Sequence, residues 1–196
     1  ADVNPGATPG AAPAAPPAAR AASFPNYKPE FKEKVAKFNK EQVTYDPALR
    51  CVNPGLPRIG PPDKIVQSAK EIVFLYDDLN GAFWRIIPLD GRPHREDAEQ
   101  NFFGDSVGHW DGDKLVIETN SFSDESWLTD NGAFHTADMT IKEELTPAGG
   151  QVEYKVTVDD PAVLAEPWVK SAKLNYPMCL RIPAAMHADA SSRVFH

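Results

Sequence analysis

The stretch SVGHWDGDKLVIET, residues 106–119, decides the fold. Its two halves are strand-like and meet at Asp111-Gly112. Such a dipeptide is a strong short-range hairpin signal, because a type I′ turn needs positive φ at both central positions. Neighbouring residues in a strand point to opposite faces. With Trp110 turned to a core, His109 faces solvent or a pocket rim, and it is expected to be an ordinary surface histidine.

Working outward, the same period of two recurs. KIVQS and EIVFLYD are separated by a short AK, and DLNG leads into AFWRIIPL. DMTIKEEL and QVEYKVTV flank TPAGG as a second hairpin, and WVKSAKLNY offers a last strand. Seven to nine strands in hairpin order predict a mainly β fold, an antiparallel meander forming a curved sheet, barrel or sandwich. In EIVFLYD both alternating sets are apolar, so this strand is expected to be central and covered on both faces. The segments 91–105 and 121–135 read as long connections, a length that usually marks a functional or a disordered segment.

The front of the chain has a different composition. Twelve of the 19 prolines precede Asp63. Residues 1–27 read as an Ala/Pro-rich extended arm that buries too little apolar surface to offset its ordering entropy. Residues 28–42 carry Phe31, Val35 and Phe38 on one helical stripe among lysines, which predicts one short amphipathic helix docking on the body or on a partner. A Pro/Gly-rich connection spans 43–62, a β domain 63–180 and a tail 181–196.

Charge is divided along the same line. Residues 1–62 hold 8 Lys/Arg against 5 Asp/Glu, and residues 63–196 hold 12 against 23, so the net charges of +3 and −11 make up the total of −8. An acidic body repels phosphate backbones, which argues against a nucleic-acid partner. No apolar run approaches membrane-spanning length. Cys51 and Cys179 are too far apart for a metal knuckle or a redox pair and are expected to form a disulfide staple. The Ala/Pro-rich beginning looks like a mature end with its signal peptide already removed, so a periplasmic or otherwise extracytoplasmic location is expected.

Candidate chemistry rests on a few residues. In DMTIKEEL, Met139, Ile141, Glu143 and Leu145 share one face, which makes Glu143 a carboxylate on an apolar stripe. Arg85 alternates in the same way with Phe83 and Ile87. An inward Arg85–Glu143 pair is either a structural brace or the polar end of a ligand cavity. His94 and His135 sit within or at the end of the long connections, and with His109 they are the candidate metal ligands, although no metal-binding spacing joins them. Asp160 is a candidate for acid–base work with His94 or His135, or else ends a strand in an Asx turn before Pro161. No phosphate loop, nucleophile elbow or serine beside an evident base is present, and no cofactor motif is found.

The ordered series CVNPGLPR, KIVQSAKEIVFLYD, RIIPLDGRPH, GDSVGHWDGDKLVIETNSFSDESWL, HTADMTIKEEL, VTVDDPAVLAEPW and YPMC resembles a family of exported bacterial β-rich proteins. The resemblance covers roughly residues 46–179. It implies export, a β-rich body and a cysteine near each end of the pattern, and it carries no reaction. His94, Ser106, Trp110, Asp113, His135, Glu143 and Asp160 fall on its polar marks. The long arm and short tail depart from it. Arm and missing catalytic signature together favour an exported accessory or structural subunit over an enzyme, one that docks by its N-terminal arm on a larger, membrane-associated protein complex. The competing expectation is a small-molecule-binding protein or His/carboxylate enzyme with its site in the β-domain cavity.

Overall fold

The computed structural model describes residues 24–175 and the backbone of 193–195. Most of the arm and Cys179 lie outside the described residues. Nine strands follow one another: β1 (Lys64–Gln67), β2 (Glu71–Asp78), β3 (Gly81–Pro88), β4 (Asp105–Asp111), β5 (Lys114–Asn120), β6 (Thr140–Ala148), β7 (Gln151–Asp159), β8 (Trp168–Leu174) and β9 (Arg193–Phe195). They form two antiparallel sheets, ordered β3-β2-β1-β9 and β4-β5-β6-β7-β8. The five-stranded sheet is a meander; in the other, β1, β2 and β3 are successive neighbours while β9 returns after β8 to pair with β1, so the chain leaves this sheet between β3 and β4 and rejoins it at β9. The sheets do not close into a barrel. Their inner faces share one core instead. Ile72 and Phe74 of β2 lie in it with Ile117 of β5, Ile141 of β6 and Val156 of β7, all buried.

Local turn chemistry departs from expectation in two places. Asp111 pairs with Lys114, so the turn residues are Gly112-Asp113, one step later than the Asp-Gly reading. Only Gly112 has positive φ, the mark of a type II′ turn rather than I′. At the other hairpin the turn is Gly149-Gly150, both at positive φ, and Pro147 belongs to β6 opposite Val152. Proline is tolerated there because β6 has by then outrun β5, whose pairing ends at Leu145.

β2 is central in its sheet, but it is not covered on both faces. Ile72, Phe74 and Tyr76 are buried, while Val73 and Leu75 on the opposite face are half-exposed. Among the described residues no second layer lies over them.

The front segment is knitted into the body. A 3-10 turn at Pro29–Phe31 leads into α1 (Lys32–Lys40), followed by the short α2 (Gln42–Tyr45). The helix docks on the chain's own long connection after β5. Phe38 stacks on Trp127 with centroids 5.5 Å apart, Tyr27 stacks on Phe134 at 5.4 Å, and Lys34 Nζ lies 3.7 Å above the Phe134 ring. The Lys28 N–H donates to Val163 O at 3.0 Å. Residues 121–135 are therefore core, with Phe122, Trp127, Leu128, Ala133 and Phe134 buried. Below the helix, Arg58 Nη1 and Nη2 donate to Asp46 Oδ1 and Oδ2 at 2.7 and 2.8 Å, and Arg58 Nε donates to Asp130 at 2.9 Å. Cys51 is exposed and free, and its expected disulfide partner Cys179 lies outside the described residues.

Gly132 lets helix and loop approach. It has φ +78°, and a Cβ there would stand 2.6 Å from Asn39 N and 2.8 Å from Val35 O. Both neighbours are backbone and neither gives way. Gly132→Ala is expected to cost about 2 kcal/mol or more through strain and overpacking, read as a lower urea midpoint with a largely unchanged slope.

Candidate functional site

Two strands from different sheets place the central polar pair. Arg85 follows the inward alternation of β3, and Glu143 that of β6 between Ile141 and Leu145. Arg85 Nη1 donates to Glu143 Oε2 at 2.6 Å, and Nη2 donates to Oε1 at 2.9 Å. Tyr154 Oη also donates to Oε1, at 2.6 Å. Arg85 Nη2 donates to Tyr76 Oη at 3.2 Å, and Nη1 lies 3.4 Å from both Ser106 Oγ and Thr119 Oγ1. The guanidinium also sits 5.2 Å from the Phe74 ring centroid. Only Arg85 Nε lacks a hydrogen-bond partner in this group.

Electrostatics keep Arg85 charged and Tyr154 neutral. Burial acts to lower the Arg85 pKa, but Glu143, helped by Tyr76 and Tyr154, more than offsets it, so the shift is upward. Burial, and then the Glu143 charge, push the Tyr154 hydroxyl well above its ordinary value. Tyr154 therefore stays a donor, and the carboxylate's bonding is used up inside the protein. A bidentate pair with this support is a brace between the sheets. Removing one partner strands the other charge. Glu143→Leu is expected to cost about 3–5 kcal/mol, and Arg85→Met added to it far less than its own single cost; additive losses in urea unfolding contradict this.

Beside the brace, at the surface, the edges of β3 and β4 border a cleft of about 410 Å³. Trp84 and Ile86 line one side, Asp105 and Ser106 the other, with Arg92 and Arg95 nearby. Asp105 organises the rim. It accepts from Arg95 Nε at 2.7 Å and from the Arg95 backbone N–H at 3.1 Å, and His94 Nδ1 lies 3.0 Å from it. Burial acts to raise the Asp105 pKa, but the bonds from Arg95 and His94 outweigh it and hold the carboxyl below its ordinary value. A His94 that donates from Nδ1 keeps Nε2 as an acceptor.

His135 belongs to another cluster. Its Nδ1 lies 3.0 Å from the Thr136 carbonyl, which only accepts, so the proton sits on Nδ1 and Nε2 accepts from the Ser126 hydroxyl at 3.0 Å. That tautomer suits a general base, yet His135 and Ser126 are buried. Gly55 seals them, since a Cβ there would meet Ser126 Oγ at 2.6 Å. Asp160 accepts from the Thr136 N–H at 2.7 Å, from its hydroxyl at 3.0 Å and from the Ala162 N–H at 3.2 Å, tying off the end of β7. Burial lowers the His135 pKa. The depressed native value means that the unfolded chain binds the extra proton, so stability is lost as pH falls below about 6.5. His135→Asn is expected to be weaker at neutral pH but to lose less on acidification; parallel urea midpoint profiles would disprove this.

The structure thus brings Arg85 and Glu143 together and leaves His94 and His135 in two further clusters. His109 is exposed on the outer face of β4, while Trp110 packs partly on the core. Among the described residues no three His, Cys, Asp or Glu side chains are grouped to hold a metal. Sequence reading missed Asp105 as the partner of His94, and it missed the Ser126–His135 bond, which no local motif signals. No protein-family model matches the chain, nor does any curated protein or solved structure.

Proposed function

We propose that the protein is an exported accessory subunit that docks on a larger protein assembly, and that the outer face of β1, β2 and β3 meets the partner. One observation carries this reading, the contrast between the two outer faces. On the five-stranded sheet the outer face is charged: Glu144 accepts from Lys114 at 3.0 Å and from Lys155 at 2.9 Å. That arrangement is a solvated surface. On the other sheet the equivalent positions are apolar. Val66, Val73 and Ile86 form one cross-strand row, and Leu75 pairs with Trp84 in the next. Trp84 is 66% exposed and Ile86 52%, and Leu79 at the hairpin tip is fully exposed. Contiguous apolar surface with a tryptophan in it is characteristic of an interface hot spot.

The occupant is a different protein with an apolar patch in a basic surround. Asp63, Asp77, Asp78 and Glu71 flank the apolar rows against Lys64 and Lys70. The body carries −11 overall, so two copies face to face repel, whereas a basic-rimmed partner is attracted. No helix of the described residues is long and apolar enough to cross a membrane. The arm, residues 1–27, adds reach to the attachment in this proposal.

The test uses native electrophoresis of cell extracts carrying the tagged chain. It is expected to run in an assembly well above its own 21.5 kDa. Trp84→Thr with Ile86→Thr, which keeps strand propensity, is expected to weaken docking by about 2–4 kcal/mol and release the chain while its melting temperature hardly moves. A wild-type chain running free, or as a simple dimer, counts against the proposal, as does a variant that stays bound.

A further inference from the structure

The cleft at the sheet seam has a feature that the apolar face alone does not explain, namely an unguarded strand edge. Among the described residues β3 pairs only with β2, and β4 only with β5. Antiparallel pairing alternates between residues bonded to the neighbour and residues whose N–H and C=O face away. The Leu89 N–H donates to Lys70 O at 2.7 Å, which fixes the phase. Stepping back by twos, Ile87, Arg85 and Phe83 bond to β2, and the backbone groups of Trp84 and Ile86 face the open edge. On β4 the closing pair Asp111–Lys114 sets the phase. Ser106 and Gly108 then face outward.

Exposed edges are normally protected by lysines, prolines or a cover. β8, at the far edge of the other sheet, follows that rule with exposed Lys170 and Lys173. β3 does not. In GAFWRIIP the only charge is Arg85, which is buried on the brace, and Pro88 stops the ladder only at its end. Beside this edge lies the cleft of about 410 Å³, open to solvent and roomy enough for a few extended residues.

Rim chemistry selects the occupant. The Arg92 and Arg95 side chains are 58% and 62% exposed. Arg92 gives Nε and Nη2 to Asp90, and Arg95 gives Nε to Asp105. Nη1 of Arg92 and both Nη groups of Arg95 have no acceptor among the described residues. Building on the docking role proposed above, we infer that the seam receives an extended segment of the partner protein as a strand added to β3. Its backbone bonds to Trp84 and Ile86, its apolar side chains continue the apolar face, and an acidic residue meets Arg92 and Arg95.

The test is made on the full-length, nitrogen-15-labelled chain with the peptide acetyl-Thr-Val-Glu-Val-Thr-Val-amide at millimolar concentration. Strand addition is expected to slow amide hydrogen exchange at Trp84 and Ile86 by about tenfold, while Arg85 and Ile87, already bonded to β2, hardly change. A copy of the peptide N-methylated along its bonding edge is expected to have no effect. Lysine in place of the glutamate is expected to weaken binding at low salt, and Arg92→Gln with Arg95→Gln to abolish that preference. No protection, an equal response to the methylated peptide, or Trp84 and Ile86 amides already protected in the free chain by its own arm each overturn the inference. The docking reading is separable, since release of the assembly by Trp84→Thr with Ile86→Thr stands whether or not the peptide binds.

Discussion

A guanidinium and a carboxylate buried against each other set the terms for the rest of this structure. Arg85 and Glu143 come from different sheets, and neither is tolerable in the core without the other. Their two parallel bonds fix the spacing and the lateral position of the sheets together. A slip of β3 or β6 by one residue turns the charge outward and every apolar neighbour with it. The hydroxyls of Tyr76, Tyr154, Ser106 and Thr119 bond to the pair or stand close to it, so the identities of four further inward positions follow from that one desolvated contact.

The brace occupies the interior, and the proposed recognition surface lies outside it. Asp105 holds the loop carrying Arg95 and His94 beside the brace, and the cleft opens between that loop and the edge of β3. Apolar face, open edge and arginine rim are contiguous, sharing Trp84 and Ile86. The opposite sheet, with its Lys114–Glu144–Lys155 chain, shows what the same polypeptide does with a face that only meets water.

Much of this was legible in the sequence where one periodicity governed the outcome. Glu143 stood out because it interrupted an apolar alternation, and Arg85 answered it by the same rule. Alternation also marked β2 as central, but it could not say that Val73 and Leu75 lack a covering layer. That depends on which elements stack, not on the strand. The His94–Asp105 and Ser126–His135 bonds join residues that no spacing rule connects. Proline and glycine density suggested a loose connection over 43–62, yet Leu56 is buried, and Arg58 is held by Asp46 within the segment and by Asp130, 72 residues further on. The amphipathic stripe was readable in α1, whereas its dock on Phe134 and Trp127 was not.

The strap from Phe24 to Arg50 also orders events in time. Tyr27 pairs with Leu164, and the Lys28 amide bonds to Val163, across more than 130 residues of chain. Translation delivers this aromatic segment well before its receptors. Until the connection after β5 has emerged, Tyr27, Phe31 and Phe38 lack the Trp127 and Phe134 rings they pack on. Contacts so distant in sequence carry a large loop-closure cost and slow folding. A nascent chain that has not yet reached Trp127 and Phe134 therefore presents bare front aromatics, the kind of apolar surface that holding chaperones engage.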